Sequence, residues 1–252
     1  MTAVEICVDD VGGTAAARRG GADRVELCAA LSEGGTTPSL GMVLSAAEEA
    51  GRLGLQVLVR PRAGDFVCSL AELAVMRADI AATRAALGDD PRLGFTLGAL
   101  TPSGDLDHEA LAGLVAACGP CPVTFHKAFD TALAAGGEPG SLLDRLVGLG
   151  VSAVLTSGGD GPAVDHLETL AGLVRASGDR IAVVVAGGVR PGNVARVLSG
   201  TGAREVHLRA PGTLATSSAV VGTQYDAGSR TVTSAQVVAD VVTAVRDHEA
   251  RR

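Results

Sequence analysis

The chain has 252 residues, of which 47% are hydrophobic and only 2% aromatic, and its formal net charge is −7. This charge gives no electrostatic support to nucleic-acid binding, and no basic cluster suits an anionic membrane surface. Charges, Gly or Pro interrupt every long apolar run, so we expect no membrane-spanning helix. The sequence begins with a strand pattern rather than a signal peptide, so we expect a cytoplasmic protein whose five cysteines stay reduced.

Strand patterns alternate with helical patterns along the whole chain. Strands are predicted at about 4–8, 24–28, 55–60, 94–99, 122–127, 153–156, 181–186 and 205–208. Helices are predicted at about 13–19, 40–53, 69–87, 108–118, 139–148, 163–176, 191–199 and 234–249. Ala128-Phe129-Asp130 is expected to open a loop, and a second, Gly-, Ser- and Thr-rich loop is expected at about 210–232.

Eight strand–helix units in a chain of this length are typical of one fold. They predict an α/β protein with a single (β/α)8 TIM barrel domain over residues 1–252. An open, doubly wound sheet is the alternative. That fold does not need eight evenly spaced units, and no G-x-G-x-x-G follows the first strand.

The first two strands each carry a glutamate and a cysteine two residues apart, Glu5 and Cys7 in one and Glu26 and Cys28 in the other. Side chains two residues apart share one face of a strand. The spacing of 21 residues between the two glutamates and between the two cysteines makes the strands look like copies in register. A carboxylate and a thiol repeated on one face predict a functional site.

The active site of a TIM barrel lies at the C-terminal ends of its strands. Ionisable residues gather at these predicted ends, and the candidate catalytic residues are Glu5, Glu26, Arg60, Arg62, Asp65, His126, Asp130 and His207. Glutamates 5 and 26 and the histidine at 126 are acid–base candidates, and the two arginines are candidate anion clamps. The alternative is a structural network in which the two glutamates accept hydrogen bonds from the two arginines.

Glycine-rich turns end the sixth and seventh strands. Backbone N–H groups in such turns can approach a phosphate, so Ser157, Gly158, Gly187 and Gly188 are candidate anion-binding residues. They would suit a barrel enzyme acting on a small anionic or sugar-like metabolite. The alternative is that these glycines only allow tight turns between strand and helix.

Several runs resemble the signature sequences of the CutC family. They are Glu5-Ile6-Cys7, the stretches 21–28 and 33–39, Arg60-Pro61-Arg62 with Gly64-Asp65-Phe66, the stretches 123–126 and 128–130, Leu155-Thr156-Ser157-Gly158 and Glu205-Val206-His207. The resemblance implies a cytoplasmic (β/α)8 barrel that forms a homo-oligomer, a dimer or a tetramer, and is implicated in copper homeostasis. It also implies that Cys7 and Cys28 are Cu(I) ligands.

The chemistry of two thiols is compatible with this implication. Soft thiolates select Cu(I). Adjacent strands lie about 4.8 Å apart, and two thiolates bridged linearly by a metal need about 4.6 Å. Two cysteines that only pack in the core are the alternative. The sequence leaves open both a Cu(I)-binding protein and an enzyme acting on a small anionic metabolite.

A second cysteine pair, Cys118-Gly119-Pro120-Cys121, has the spacing of a thioredoxin-type redox motif. It follows a predicted helix and precedes a strand, whereas the redox motif opens a helix. We therefore interpret these thiols as incidental and place them at the end of the barrel opposite the active site. Cys68 follows the loop at Asp65, and its spacing does not identify it as a ligand.

Overall fold

A computed structural model describes residues 1–219, 221–224 and 226–251. Its centre is a closed barrel of eight parallel strands in chain order. The strands are β1 (Ala3–Val8), β2 (Arg24–Leu27), β3 (Gly54–Leu58), β4 (Leu93–Leu97), β5 (Val123–Phe125), β6 (Ala153–Thr156), β7 (Ala182–Val185) and β8 (Glu205–Leu208). The predicted (β/α)8 fold is confirmed.

Helices surround the barrel. They are α1 (Val11–Gly20), α2 (Leu40–Ala50), α3 (Leu70–Leu87), α4 (His108–Cys118), α5 (Ala128–Ala134), α6 (Pro139–Gly148), α7 (Leu167–Ser177), α8 (Val194–Thr201) and α9 (Ala235–Ala250). The side chain just before α1, α2, α3, α4, α6 and α9 accepts from a free N–H group of the first turn; the Ser69 hydroxyl, for example, accepts from Glu72 N–H at 3.2 Å. Among the described residues, no helix is long and apolar enough to cross a membrane.

Two predicted loops contain regular structure. Ala128-Phe129-Asp130 begins helix α5, because Phe129 and Ala132 are spaced to bury one face of a short helix. The segment 210–232 contains most of an antiparallel hairpin, β9 (Pro211–Ala215) and β10 (Ser229–Thr233), in which the β-branched Thr231 pairs with Thr213. Positions 220 and 225 of that segment lie outside the described residues.

The first two strands are offset rather than aligned as copies. Cys7 pairs with Glu26, and Glu5 pairs with Arg24, so the second strand is shifted by one inward-facing position. Strands in a closed barrel are tilted, and this tilt staggers neighbouring strands by a fixed shear. As a result, the Cys7 thiol lies beside the Glu26 carboxylate.

The strands are apolar on the face toward the helices, and the inside of the barrel is polar along β1 to β5 and apolar along β6 and β7. Residues between the strands and the helices form the main core, in which Phe95, Phe125 and Phe129 are fully buried. Polar side chains from consecutive strands are also buried: Glu5, Glu26, Gln56, Thr96, Thr124 and His126. Burying so many polar groups is costly unless each finds a partner, so their contacts identify the functional part of the molecule.

The last helix closes the outer layer by packing on the first. A Cβ atom on Gly20 in α1 would lie 2.4 Å from the Val238 Cβ atom and 2.8 Å from the Ala235 carbonyl oxygen of α9. Only glycine allows this approach, so the two helices are in backbone-to-side-chain contact.

Candidate functional site

Four potential metal-binding side chains meet at the C-terminal ends of β1, β2 and β8. The Cys7 and Cys28 sulfurs are 3.8 Å apart, and the Cys7 thiol donates to Glu26 Oε2 at 3.3 Å. His207 Nε2 lies 3.7 Å from the same carboxylate oxygen. One donor atom from each of Cys7, Glu26 and His207 lies within 4.8 Å of the other two. These three side chains offer one sulfur, one oxygen and one nitrogen to a metal ion, and the Cys28 sulfur lies beside that of Cys7.

The His207 ring is oriented by a chain of charged groups beneath it. Its Nδ1 lies 2.7 Å from Glu5 Oε1. A carboxylate only accepts, so Nδ1 carries a proton, and Nε2 is the ring atom that faces Glu26. Glu5 also accepts from Arg24, which donates to Glu205 at 2.8 Å. This is how proteins commonly fix a metal-binding histidine.

The buried charges of this cluster shift one another's pKa values. Arg24 and His207 outweigh burial and lower the pKa of Glu5 to about 2, so Glu5 is a permanent anion. Burial, reinforced by Glu5, raises the pKa of Glu26. Burial alone would lower the pKa of His207, but the carboxylates of Glu26 and Glu5 outweigh it and raise it.

The Cys7 thiol has a pKa well above its ordinary value, because it is hydrogen-bonded to Cys28, buried, and close to the Glu26 carboxylate. Without metal, Cys7 is therefore a protonated thiol at neutral pH. A metal would have to displace this proton, and the Glu26 carboxylate that accepts the S–H bond is the nearest base.

A pocket of about 300 Å³ opens above this cluster; we call it the mouth pocket. Its lining comprises Cys7, Glu26, Leu31, Gly34, Leu58, Arg60, Phe66, His126, Lys127, Leu155, His207 and Arg209. Of the eight candidate catalytic residues, it brings together Glu26, Arg60, His126 and His207. A larger cavity of about 430 Å³ opens against the start of β8, away from the thiols, and its charged residues Asp179 and Arg204 already lie 3.8 Å apart.

His126 is buried in the wall of the mouth pocket. Its Nδ1 accepts the Ala128 N–H at 3.3 Å, so its Nε2 carries the proton, and no hydrogen-bond partner for Nε2 exists among the described residues. Burial and the nearby Arg60 charge lower the pKa of His126 to about 3. His126 is therefore a neutral hydrogen-bond donor. The ring packs so closely on Gly98 that a Cβ there would lie 2.3 Å from its Cε1.

The alternative network, in which the two glutamates accept from Arg60 and Arg62, is contradicted by the partners of both arginines. Arg60 donates to the carbonyl oxygens of Glu33, Gly35 and Gly64, because the loop after β2 folds over its guanidinium. Arg62 instead pairs with Asp65 at 2.9 Å and with Glu72 at 2.5 Å, outside the mouth pocket. Arg24, one inward-facing position before Glu26, is the partner of Glu5.

The candidate anion-binding turn after β6 is already occupied by a side chain of the protein. The Asp130 carboxylate accepts from the Thr156 hydroxyl and from both the N–H and the hydroxyl of Ser157. The Gly158 N–H donates to the Thr156 hydroxyl oxygen at 2.9 Å. These N–H groups are therefore not available to a ligand, and Asp130 is a structural carboxylate here.

The turn after β7 has the geometry that requires glycine. Gly187 and Gly188 have φ values of 93° and 68°, and a Cβ on Gly187 would lie 2.8 Å from the Ser157 Cβ. Their carbonyl oxygens accept from Ala163 and from the Asn193 side chain. These contacts explain the glycines as turn residues, and an anion-binding role for them stays a prediction.

The other cysteines lie outside the metal-binding set. Cys118 is buried at the end of α4, and burial raises the pKa of its thiol to about 12. Cys118 and Cys121 are free thiols in the connection between α4 and β5, as the sequence predicts. The Cys68 thiol lies 3.9 Å from the Met76 sulfur and is not part of the cluster around Cys7.

Two residues near the site, Arg24 and Arg209, are not among the candidates chosen from the predicted strand ends. Arg24 lies at the start of β2, and its place on the inner face follows from the same period of two that identifies Glu26. Arg209 follows β8 at the rim of the mouth pocket. Its position one inward-facing step beyond His207 is the signal that could have revealed it.

Comparison with known proteins decides the family. The model of the CutC family matches residues 2–212. This chain belongs to the CutC family. It is 43% identical to the human copper homeostasis protein cutC homolog over 210 residues, covering 83% of this chain and 74% of the human protein. It is 44% identical to a CutC family protein of Xanthomonas campestris over 212 residues, covering 84% of this chain and 85% of that protein.

A solved CutC structure agrees with the fold. The crystal structure of CutC from Streptococcus agalactiae matches with a TM-score of 0.75 and 31% identity, covering 82% of this chain and 98% of that chain. Within this CutC chain, the matched region 2–212 contains the four metal-binding candidates. Strand β10 and helix α9 lie beyond it.

Proposed function

We propose that this CutC protein binds Cu(I) through Cys7 and Cys28 and acts in copper homeostasis. The observation that carries the proposal is the separation of 3.8 Å between the two sulfurs inside the barrel mouth. Thiolates are the protein ligands that favour Cu(I) over hard cations. The names of the human and other relatives refer to copper homeostasis, which supports the same metal.

The arrangement favours more than two ligands. A linear bridge needs about 4.6 Å between sulfurs, more than the 3.8 Å observed. Glu26 Oε2 and His207 Nε2 lie 3.7 Å apart, and one donor atom from each of these side chains lies within 4.8 Å of the Cys7 sulfur. We therefore assign Glu26 and His207 as additional donors and Glu5 as the group that orients His207.

Metal binding is coupled to proton release in this proposal. The Cys7 thiol must ionise before its sulfur can bind, and its hydrogen bond aims the proton at Glu26. The carboxylate would thus have two uses: it would accept the thiol proton and pass it to solvent in the mouth pocket, and, once ionised again, it would be free to bind the ion. Because Nδ1 of His207 is hydrogen-bonded to Glu5, Nε2 is the ring nitrogen that would bind the metal.

The test is a Cu(I) titration against a competing Cu(I) chelator under reducing, oxygen-free conditions. The wild-type chain is expected to bind one Cu(I), and the Cys7→Ser/Cys28→Ser variant to lose this binding. The matched control, Cys118→Ser/Cys121→Ser, removes two thiols outside the site and is expected to keep it. Circular dichroism of each variant separates lost binding from lost folding.

Two results would contradict the proposal. One is full Cu(I) affinity in a folded Cys7→Ser/Cys28→Ser variant. The other is a clear preference of the wild-type site for Zn²⁺, which also accepts sulfur, nitrogen and carboxylate ligands.

We further propose that the protein works in the cytoplasm as a homo-oligomer, a dimer or a tetramer. Free thiols at Cys7 and Cys28 persist in a reducing compartment, which supports this location. Cell fractionation tests the location. Light scattering coupled to size-exclusion chromatography tests the assembly, and a monomeric mass would contradict it.

A further inference from the structure

Positive charge is concentrated at the rim of the mouth pocket. Arg60, Lys127 and Arg209 all line it. Lys127 lies 3.4 Å from Asp130, but Arg60 donates only to backbone carbonyls. Arg209 is exposed and forms no hydrogen bond or ion pair with any residue that the structure describes. On a chain of net charge −7, two arginines without a carboxylate partner at one pocket indicate a site for an anion.

The wall of the mouth pocket contains a buried hydrogen-bond donor without a partner. His126 is 5% exposed. Within the described part of the chain, its Nε2, a donor, has no hydrogen-bond partner. Buried polar atoms in folded proteins are nearly always paired, so this donor indicates a missing acceptor. The oxygen of a hydroxyl group can accept from it.

The size and walls of the mouth pocket limit the ligand. Its volume of about 300 Å³ is at the lower end for small-molecule sites. Leu31, Leu58 and Leu155 supply apolar wall, and the Phe66 ring lies 4.8 Å from the ring of His126. This combination suits a short carbon skeleton with a charged group at one end.

We propose that the mouth pocket binds a small hydroxylated organic anion, either a sugar phosphate or a hydroxycarboxylate. The charged group faces the three basic side chains at the rim, and a hydroxyl group accepts from His126 Nε2 in the pocket wall. Arginine matches both phosphate and carboxylate with paired N–H donors, so this chemistry is shared by the two classes. The inference goes beyond copper binding and does not depend on it, because neither the rim residues nor His126 is assigned as a metal donor.

Isothermal titration calorimetry on chelator-treated protein tests the proposal. The probes are glycerol 3-phosphate for the phosphate class, malate for the carboxylate class, and uncharged glycerol as the negative control. We expect saturable binding of at least one of the two anions and none of glycerol. Because the metal has been removed, the result is independent of whether Cu(I) binds at the cysteines.

Substitution of the rim assigns the binding to this pocket. Arg209→Gln removes an exposed charge with no partner in the described residues, so the fold should be unaffected, and we expect the affinity to fall at least tenfold. Arg175→Gln removes an exposed arginine from α7 and should leave the affinity unchanged. Failure of both anions to bind saturably, or wild-type affinity in a folded Arg209→Gln variant, would overturn the proposal.

Discussion

Acidification should destabilise this protein through His126, and the size of the effect follows from the structure. The folded protein keeps the pKa of this histidine at about 3, because the ring is buried beside Arg60. In the unfolded chain the ordinary value of about 6.5 applies. The unfolded state therefore binds more protons between pH 6.5 and pH 3. The stability due to neutral His126 is present above pH 6.5 and is lost as the pH falls below it.

The size of this loss of stability depends mainly on the pKa of His126 in the unfolded state. At pH 5 an unfolded histidine is almost fully protonated, whereas folded His126 stays neutral. This difference lowers the free energy of unfolding by about 2 kcal/mol at pH 5, against about 0.2 kcal/mol at pH 7. Any folded-state pKa below about 4 gives nearly the same result. Glu5 adds little at pH 5, because its folded pKa of about 2 causes loss of stability only as the pH falls through its ordinary value of 4.5.

The assay is urea unfolding at pH 7 and pH 5, followed by far-ultraviolet circular dichroism because the chain has no Trp. His126→Gln removes the titrating ring, so the variant should lose about 2 kcal/mol less than the wild type between the two pH values. Comparing the change in the free energy of unfolding between wild type and variant also cancels contributions common to both. One of these is the opposite contribution of His207, whose raised pKa stabilises the folded state below its ordinary value. His108→Gln, at an exposed histidine, is the matched control. Equal pH dependence in wild type and His126→Gln would refute the reasoning.

Three further predictions concern packing, the buried ion pair and the metal site. Gly20→Ala should lower the free energy of unfolding by about 1–3 kcal/mol, because its Cβ would overlap α9. Gly113→Ala, in open space on α4, should raise it by about 0.5–1 kcal/mol; equal effects in urea unfolding would contradict the packing of α1 on α9. Glu5→Gln should cost about 3 kcal/mol by the same assay, because it removes a buried partner of Arg24, and a loss below about 1 kcal/mol would show that the pair is unimportant. Cu(I) affinity should rise from pH 6 to pH 8, because the Cys7 thiol must lose its proton; chelator competition showing a flat profile would exclude Cys7 as a ligand.

Local sequence rules worked where a residue's role depends on its neighbours along the chain. The helix at 108–118 and the strands at 153–156 and 205–208 were predicted with their observed bounds. The period of two correctly placed Glu5, Cys7 and Glu26 on the inner face of the barrel. The same rules failed at α5, because a seven-residue helix has too few turns to display a period.

Partners across the barrel were not predictable in this way. Arg60 and Arg62 were candidate partners of the glutamates, but they instead bind carbonyl and carboxylate groups of the surrounding loops. Nothing in the local pattern distinguishes an arginine that points inward from one that closes a loop. The contact between Asp130 and Ser157 likewise joins helix α5 to the end of β6, across 27 residues of chain.

The sequence by itself determined the barrel, the polar inner faces of its first strands and the family, because these depend on periodicity and on residue type. Only the tertiary structure decided which groups meet. Barrel closure staggers β1 and β2 and brings β8 beside β1, so that Cys7 reaches Glu26 and His207 reaches Glu5. The distances between donor atoms, the shifted pKa values and the basic rim of the mouth pocket all follow from that closure. The physical reason is that barrel shear and strand order bring together segments about 200 residues apart in the chain, which local sequence patterns do not relate.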